Sequence, residues 1–187
     1  CRISSMVNQQ RPRLGIIANP EKPGQDLLET LVKEFTNLEF DLALDTQTAA
    51  IIGQSSEDSI VDIADKSDML VILGGDGTIL YMLRQLEEKI KPIAAINTGT
   101  LGFMTCATED DCDHFIESIS ENTYSFTNRT VVRCVIHIPG KESIECYGLN
   151  EVTLSRKNDS RVIHIEATIN GLFANRYTGD GLIIATP

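Results

Sequence analysis

Gly74-Gly75-Asp76-Gly77-Thr78 sets one carboxylate among three glycines, between the apolar run Met69–Leu73 and a helical stripe that begins at Ile79. Glycine lets a backbone approach a ligand closely and adopt positive φ. The helix N-terminus that follows offers unpaired N–H groups and a partial positive charge to phosphate. Gly74, Gly75, Gly77 and Thr78 therefore form a candidate phosphate loop, and Asp76 is its one ionisable side chain. A carboxylate there can orient or deprotonate a hydroxyl nucleophile beside a phosphate. The alternative for the same residues is a tight turn in which Asp76 or Thr78 caps the helix. Neither a Walker loop nor a G-x-G-x-x-G after the first strand is present; Asn19-Pro20 takes that place.

Three further stretches carry polar residues next to apolar runs. Asn97 and two glycines in Ile96-Asn-Thr-Gly-Thr-Leu-Gly-Phe-Met104 suit a loop folded against a ligand, with Phe103 either packing on a flat ring or joining the core. Asn150 and Glu151 begin an otherwise apolar strand. An amide beside a carboxylate supplies the paired donors and acceptors that ribose hydroxyls need, although a solvated strand start reads the same way. Thr178-Gly179-Asp180-Gly181 precedes Leu182-Ile183-Ile184-Ala185, so Asp180 is a turn residue or a ligand contact.

The elements that must position these residues follow from periodicity. Leu14–Ala18, Met69–Leu73 and Pro92–Ile96 are short apolar runs, as in strands buried on both faces of a parallel sheet. Leu27, Leu31, Phe35 and Leu38 predict an amphipathic helix, and Ile79, Met82, Leu83, Leu86 and Ile90 another. Phe40, Leu42 and Leu44 suggest a second strand, Thr46–Ser59 an irregular connection, and Ile60–Ser67 a short helix. Thr108, with Asp111 three residues on, opens a helix through Phe115, Ile116 and Ile119. Alternating strands and helices predict a doubly wound α/β domain over residues 13–124, after a flexible leader, 1–12. Beyond Tyr124 the period becomes two. Val132, Cys134, Ile136 and Ile138 alternate with more polar neighbours, as do Ile163, Ile165, Ala167 and Ile169. Pro139-Gly140 and Asn170-Gly171 supply turns. Residues 125–187 therefore read as a second, antiparallel β domain with one buried face. His137 and His164 fall on the polar parity, as solvated strand residues.

Composition narrows the class. The 187 residues include 16 Lys+Arg and 27 Asp+Glu, a formal net charge of −11. That balance argues against a sequence-independent phosphate-backbone binder, which needs a basic footprint, but leaves a nucleotide site open. The longest apolar run falls far short of the ~18–20 residues of a membrane span. The start lacks a secretory signal's apolar core. Five cysteines, an odd set without a C-x-x-C pair, fit unpaired thiols in a reducing compartment, and zinc spacing is absent.

Taken together and in order, Gly-Gly-Asp-Gly-Thr, Asn-x-Gly-x-Leu-Gly-Phe, Asn-Glu-Val and Asp-Gly-Leu-Ile-Ile-x-Thr-Pro resemble the NAD kinases from about Leu14 to Pro187. Gly-Gly-Asp-Gly alone is shared with diacylglycerol and sphingosine kinases; the other three motifs are not. The resemblance implies transfer of the γ-phosphoryl of ATP to the 2′-hydroxyl of the adenosine ribose of NAD, giving NADP. It implies that Asp76 is the proton acceptor, with Gly77 beside the substrate, and that Asn150 and Glu151 bind the NAD ribose and adenine region. Asp180, Arg161, Thr178 (often Arg in the family) and Phe103 fall at further NAD positions. Magnesium is expected to arrive with the nucleotide, with no metal held by the protein alone. A cytoplasmic homo-oligomer is expected, without nucleic-acid or membrane partners. Relatives continue past Thr-Pro with Thr-Gly-Ser-Thr-Ala-Tyr and more β structure. The β domain is thus expected to be incomplete in this chain, and the alternatives are a non-catalytic NAD-binding fragment or a lipid-kinase relative.

Overall fold

The computed structural model of the chain describes residues 11–21, 24–99, 102–157 and 161–186. Most of the expected leader, Thr100 and Leu101 of the second loop, the residues just before Arg161, and Pro187 lie outside the described residues. The chain divides into two compact units, Cys1–Thr127 and Asn128–Pro187.

The first unit is built on five parallel strands: β1 (Leu14–Ala18), β2 (Leu42–Leu44), β3 (Met69–Leu73), β4 (Ile93–Asn97) and β5 (Ala107–Thr108). Their order is β2-β1-β3-β4-β5, so the direction of winding reverses between β1 and β3. β1 and β3 are buried at every residue because helices cover both faces. On one face Leu14, Ile16, Met69, Val71 and Leu73 meet α1 (Gln25–Asn37) and α5 (Cys112–Ser120) through Leu28, Leu31, Phe35, Phe115 and Ile119. On the other, Ile17, Leu70 and Ile72 meet α3 (Ile60–Lys66) and α4 (Asp76–Leu86) through Ile63, Ile79, Met82 and Leu86. Each large apolar side chain buried this way contributes about 1.5–3 kcal/mol.

Local signals set the helix starts. Ser59 and Asp62 form a capping box for α3, and Thr108 and Asp111 form another at a single 3-10 turn, Glu109–Asp111, leading into α5. These hydrogen bonds hold the Asp62 and Asp111 carboxyls below the usual carboxylate range.

Two expectations change. The stretch 46–59 is not wholly irregular, because Thr46–Ile51 forms a short helix, α2. Asp45 accepts hydrogen bonds from the N–H groups of Gln47 and Thr48, while the Thr48 hydroxyl accepts from the Ala18 N–H at 2.9 Å. That bond ties α2 to the end of β1, and no pattern within 46–59 announces it. In addition, α4 stops at Leu86 rather than extending to Ile90; Glu87 takes φ 48 and Ile90 is exposed.

The second unit consists of three two-stranded antiparallel ribbons: β6 (Val132–Ile136) with β7 (Ile144–Gly148), β8 (Glu151–Ser155) with β11 (Gly181–Ala185), and β9 (Ile163–Ile169) with β10 (Leu172–Gly179). Asn170 and Gly171 take φ 52 and 79, the positive-φ pair of a tight hairpin. On the first ribbon Arg133 makes two 2.7 Å hydrogen bonds to the Glu145 carboxylate, which also accepts from the Tyr147 hydroxyl. These bonds push the Glu145 carboxyl down to about 2. The expected buried face is not present. Among the described residues of this unit none is buried, and Ile169 and Leu172 are 67% and 74% exposed. Alternation correctly places apolar residues on one side of a strand, but a two-stranded ribbon has nothing of its own to cover that side.

Candidate active site

The loop after β3 leaves the sheet between the carboxyl ends of β1 and β4. The Asn19 N–H donates to the Leu73 carbonyl at 2.9 Å, and the Gly74 N–H donates to the Ile96 carbonyl at 3.0 Å. This is the point where the winding reverses, the usual ligand position in open α/β sheets. Gly74 takes φ 156, and a β-carbon there would lie 2.4 Å from Thr78 Oγ1. Glycine therefore lets the loop fold back onto the first turn of α4. Asn19 Nδ2 donates to the same Thr78 hydroxyl at 3.1 Å. A cavity of about 330 Å3 opens here, with Asn19, Asp45, Gly77, Thr78 and Tyr81 in its wall.

Gly75 caps α4 without any side-chain cap. Neither Asp76 nor Thr78 therefore caps the helix, as one reading of the sequence had it. The Asp76 carboxylate instead reaches the second glycine loop: Oδ2 accepts from the Phe103 N–H at 3.0 Å, and Oδ1 from the Met104 N–H at 3.0 Å. Each oxygen retains a second acceptor direction. At the start of an α-helix the first N–H groups have no acceptor within the helix, so those of Asp76 and Gly77 are available to an anion. A β-carbon on Gly77 would meet nothing within 4 Å, so this face of the turn is open.

The side chain of Phe103 is 92% exposed, so it is not a core residue. Asn97, 3% exposed, donates through Nδ2 to the Gly99 carbonyl at 2.6 Å. Its Oδ1 is buried, has no hydrogen-bond partner among the described residues, and lies 3.7 Å from where a Gly75 β-carbon would sit. A buried amide oxygen with no partner is costly in isolation, and a ligand hydroxyl or amine would satisfy it. Asn19 is the residue that sequence reasoning undervalued; a polar side chain at the carboxyl end of β1 was the available signal.

In the second unit the candidate residues separate into two groups. Asn150 and Glu151 lie at one end of the β8–β11 ribbon, where the Asn150 carbonyl accepts from the Thr186 N–H at 2.9 Å. Asp180 lies just past the other end, five residue steps or roughly 17 Å along the strand from the ladder pair of Glu151 and Ala185. Its carboxylate pairs with Arg156 at 3.2 Å, and its carbonyl accepts from the Arg156 N–H at 3.0 Å. Arg156 lacked any local signal, because its partner is far along the chain. Thr178 Oγ1 lies 2.9 Å from His164 Nδ1 across the β9–β10 ladder. Arg161 is exposed. Among the described residues no three His, Cys, Asp or Glu side chains gather as an ion site.

The family model of the ATP-NAD kinase N-terminal domain matches residues 14–124, which contain the whole of this strand-end constellation. The chain belongs to the NAD kinase family. It is 33% identical over 183 residues to the NAD kinase of Sulfurimonas denitrificans, covering 97% of this chain and 64% of that protein. It is 39% identical over 132 residues to the NAD kinase of Acetivibrio thermocellus, covering 71% of this chain and 45% of that one. The chain thus spans less than two thirds of the length of these relatives. Among solved structures, that of yeast NADH kinase complexed with NADH matches with a TM-score of 0.81 at 24% identity, over 95% of this chain and 58% of that one. That likeness carries the fold, an α/β unit followed by antiparallel strands.

Proposed function

We propose that this member of the NAD kinase family transfers the γ-phosphoryl of ATP to the 2′-hydroxyl of the adenosine ribose of NAD, giving NADP and ADP. The observation that carries this reading is the Asp76 carboxylate, fixed by two N–H groups at the open first turn of α4. In the proposed reaction the ribose 2′-oxygen forms a bond to the γ-phosphorus. The bond from that phosphorus to the β,γ-bridging oxygen breaks, and the hydroxyl proton passes to Asp76. Phosphoryl transfer needs positioning and charge neutralisation more than covalent help. Gly74, Gly75, Gly77, Thr78 and the N-terminus of α4 supply the neutralisation. A magnesium ion brought by the nucleotide would need only one or two protein carboxylates; when bound it would offset charge on the phosphates.

Asn150 and Glu151 are assigned to the NAD ribose and adenine, with Phe103, Arg161, Thr178 and Asp180 as further NAD contacts. The Arg156–Asp180 pair means that Asp180 meets NAD already engaged, so its role is to orient a donor as well as to accept. A lipid or small-alcohol kinase would use Asp76 equally but leaves the Asn-Glu and Asp-Gly-Leu motifs unexplained. Among the described residues no helix is long and apolar enough to cross a membrane. Free thiols at Cys106, Cys112, Cys134 and Cys146 suit the cytoplasm, and a homo-oligomer is the assembly proposed.

The test is NADP formation from NAD and ATP by the wild-type chain and by Asp76→Asn. Loss of a general base costs roughly 10²–10⁴ in rate, so kcat should fall by that much with unfolding unchanged. Near-normal turnover in Asp76→Asn would remove Asp76 from the mechanism, and NAD binding without any turnover in wild type would favour the non-catalytic reading.

A further inference from the structure

Gly102 and Asp76 occupy one another's space. A β-carbon built on Gly102 would lie 2.1 Å from Asp76 Oδ1, 2.6 Å from its Cγ and 2.9 Å from its Oδ2. Those are the atoms that accept the N–H groups of the next two residues, Phe103 and Met104. Backbone conformation gives no separate reason for glycine here, since Gly102 is not among the positive-φ glycines. Gly77 and Gly99, in the same two loops, have nothing among the described residues within 4 Å of a β-carbon.

We propose that Gly102 is a positioning residue for the Asp76 carboxylate: the missing side chain at 102 is the slot that holds it on the Phe103 and Met104 amides. This rests on the reading of Asp76 as proton acceptor for its kinetic consequence, but not for its structural one. Asp76 stands on the first turn of α4, which is anchored through Ile79 and Met82 in the core. Its carboxylate is reached by a single rotatable stem from a fixed Cα. The three atoms nearest a methyl group at 102 all belong to the carboxyl end of that side chain. The carboxylate therefore leaves for another rotamer, losing both charge-assisted hydrogen bonds, while the helix and sheet stay as they are. Displacement of a reacting group by about 1 Å costs on the order of 10²-fold in rate. Phosphate binding through the α4 backbone is untouched.

Two readouts test this on the 187-residue chain. In Gly102→Ala, amide hydrogen exchange at Phe103 and Met104 should accelerate by at least about tenfold, as it should in Asp76→Ala, with the thermal midpoint unchanged. Gly99→Ala, whose slot is open, should leave exchange at both amides as in wild type. In NADP formation, Gly102→Ala should lower kcat by about 10²-fold, leave KM for ATP within a factor of about 3, and add no further loss to Asp76→Asn. Wild-type exchange at both amides in Gly102→Ala overturns the proposal whatever the turnover, and so does unfolding, because a methyl at 102 should strain no backbone. Faster exchange with normal turnover in both Gly102→Ala and Asp76→Asn would uphold the slot and overturn the proton-acceptor reading instead.

Discussion

Strands of nearly the same composition meet opposite fates in the two units. Leu70, Val71, Ile72 and Leu73 of β3 are wholly buried, whereas Ile183 and Ile184 of β11 are 61% and 52% exposed. The difference lies in what each unit has to lay on its strands. In the first unit every sheet face receives helices whose apolar stripes match it, so burial closes within the unit. In the second, three ribbons present apolar sides with no layer of their own above them. A ribbon of two strands gains backbone hydrogen bonds but little hydrophobic stabilisation. The proposed proton acceptor, Asp76, sits in the well-packed unit and the proposed ribose contacts on the sparsely packed one, so in the proposed reaction rigidity lies where the geometry of transfer would be set.

The sharpest way to break this comparison is a pair of truncations. Phe35→Ala should cost roughly 3–5 kcal/mol in denaturant unfolding, as a fully buried aromatic leaves a cavity. Ile169→Ala should change stability by less than about 0.5 kcal/mol, as a surface substitution does. Comparable losses at both positions would show that the second unit has a core after all. The same exposure predicts that the chain self-associates through its β unit, and light scattering should show Ile169→Lys with Leu172→Lys reducing it.

Asn150→Ala comes next in size. It should weaken NAD binding by about 1–3 kcal/mol and leave ATP affinity intact by calorimetry; equal losses for both would undo the assignment of the second unit to NAD. Smaller still is the cap of α2. Asp45→Ala should lower stability by roughly 0.5–2 kcal/mol, and a loss below that range would mean that the bond from Thr48 to Ala18 holds α2 without it.

The smallest effect is one of pH, confined to the β6–β7 ribbon. The Glu145 carboxyl is depressed from its ordinary value of 4.5 to about 2 by hydrogen bonds from Arg133 and Tyr147. A depressed carboxyl contributes stability above its unfolded value and loses it as pH falls through the folded one. The ribbon should therefore loosen between about pH 4.5 and 2, followed by the Glu145 side-chain resonance in an NMR titration. In Glu145→Gln this loosening should be missing, with the capping boxes at Asp62 and Asp111 titrating as before.

Much of the frame was legible because it depends on near neighbours. Runs buried on both faces announced β1, β3 and β4. Spacings of three and four announced α1 and α5, and Thr108 with Asp111 announced a cap. Asn170-Gly171 announced the hairpin through the φ values those residues tolerate. The candidate site was legible as residue types at strand ends, Asp76 among them. Its connections were not. Asp76 meets amides 27 and 28 residues away, Thr48 meets Ala18 across 30, and Arg156 meets Asp180 from the neighbouring strand. Hydrophobic periodicity, capping and turn chemistry act within about a helical turn or a hairpin, so the sequence by itself determined elements and faces. Which side chain fills the slot at Gly102, and which apolar faces find a cover, depend on how distant segments cross, and only the tertiary structure decided them.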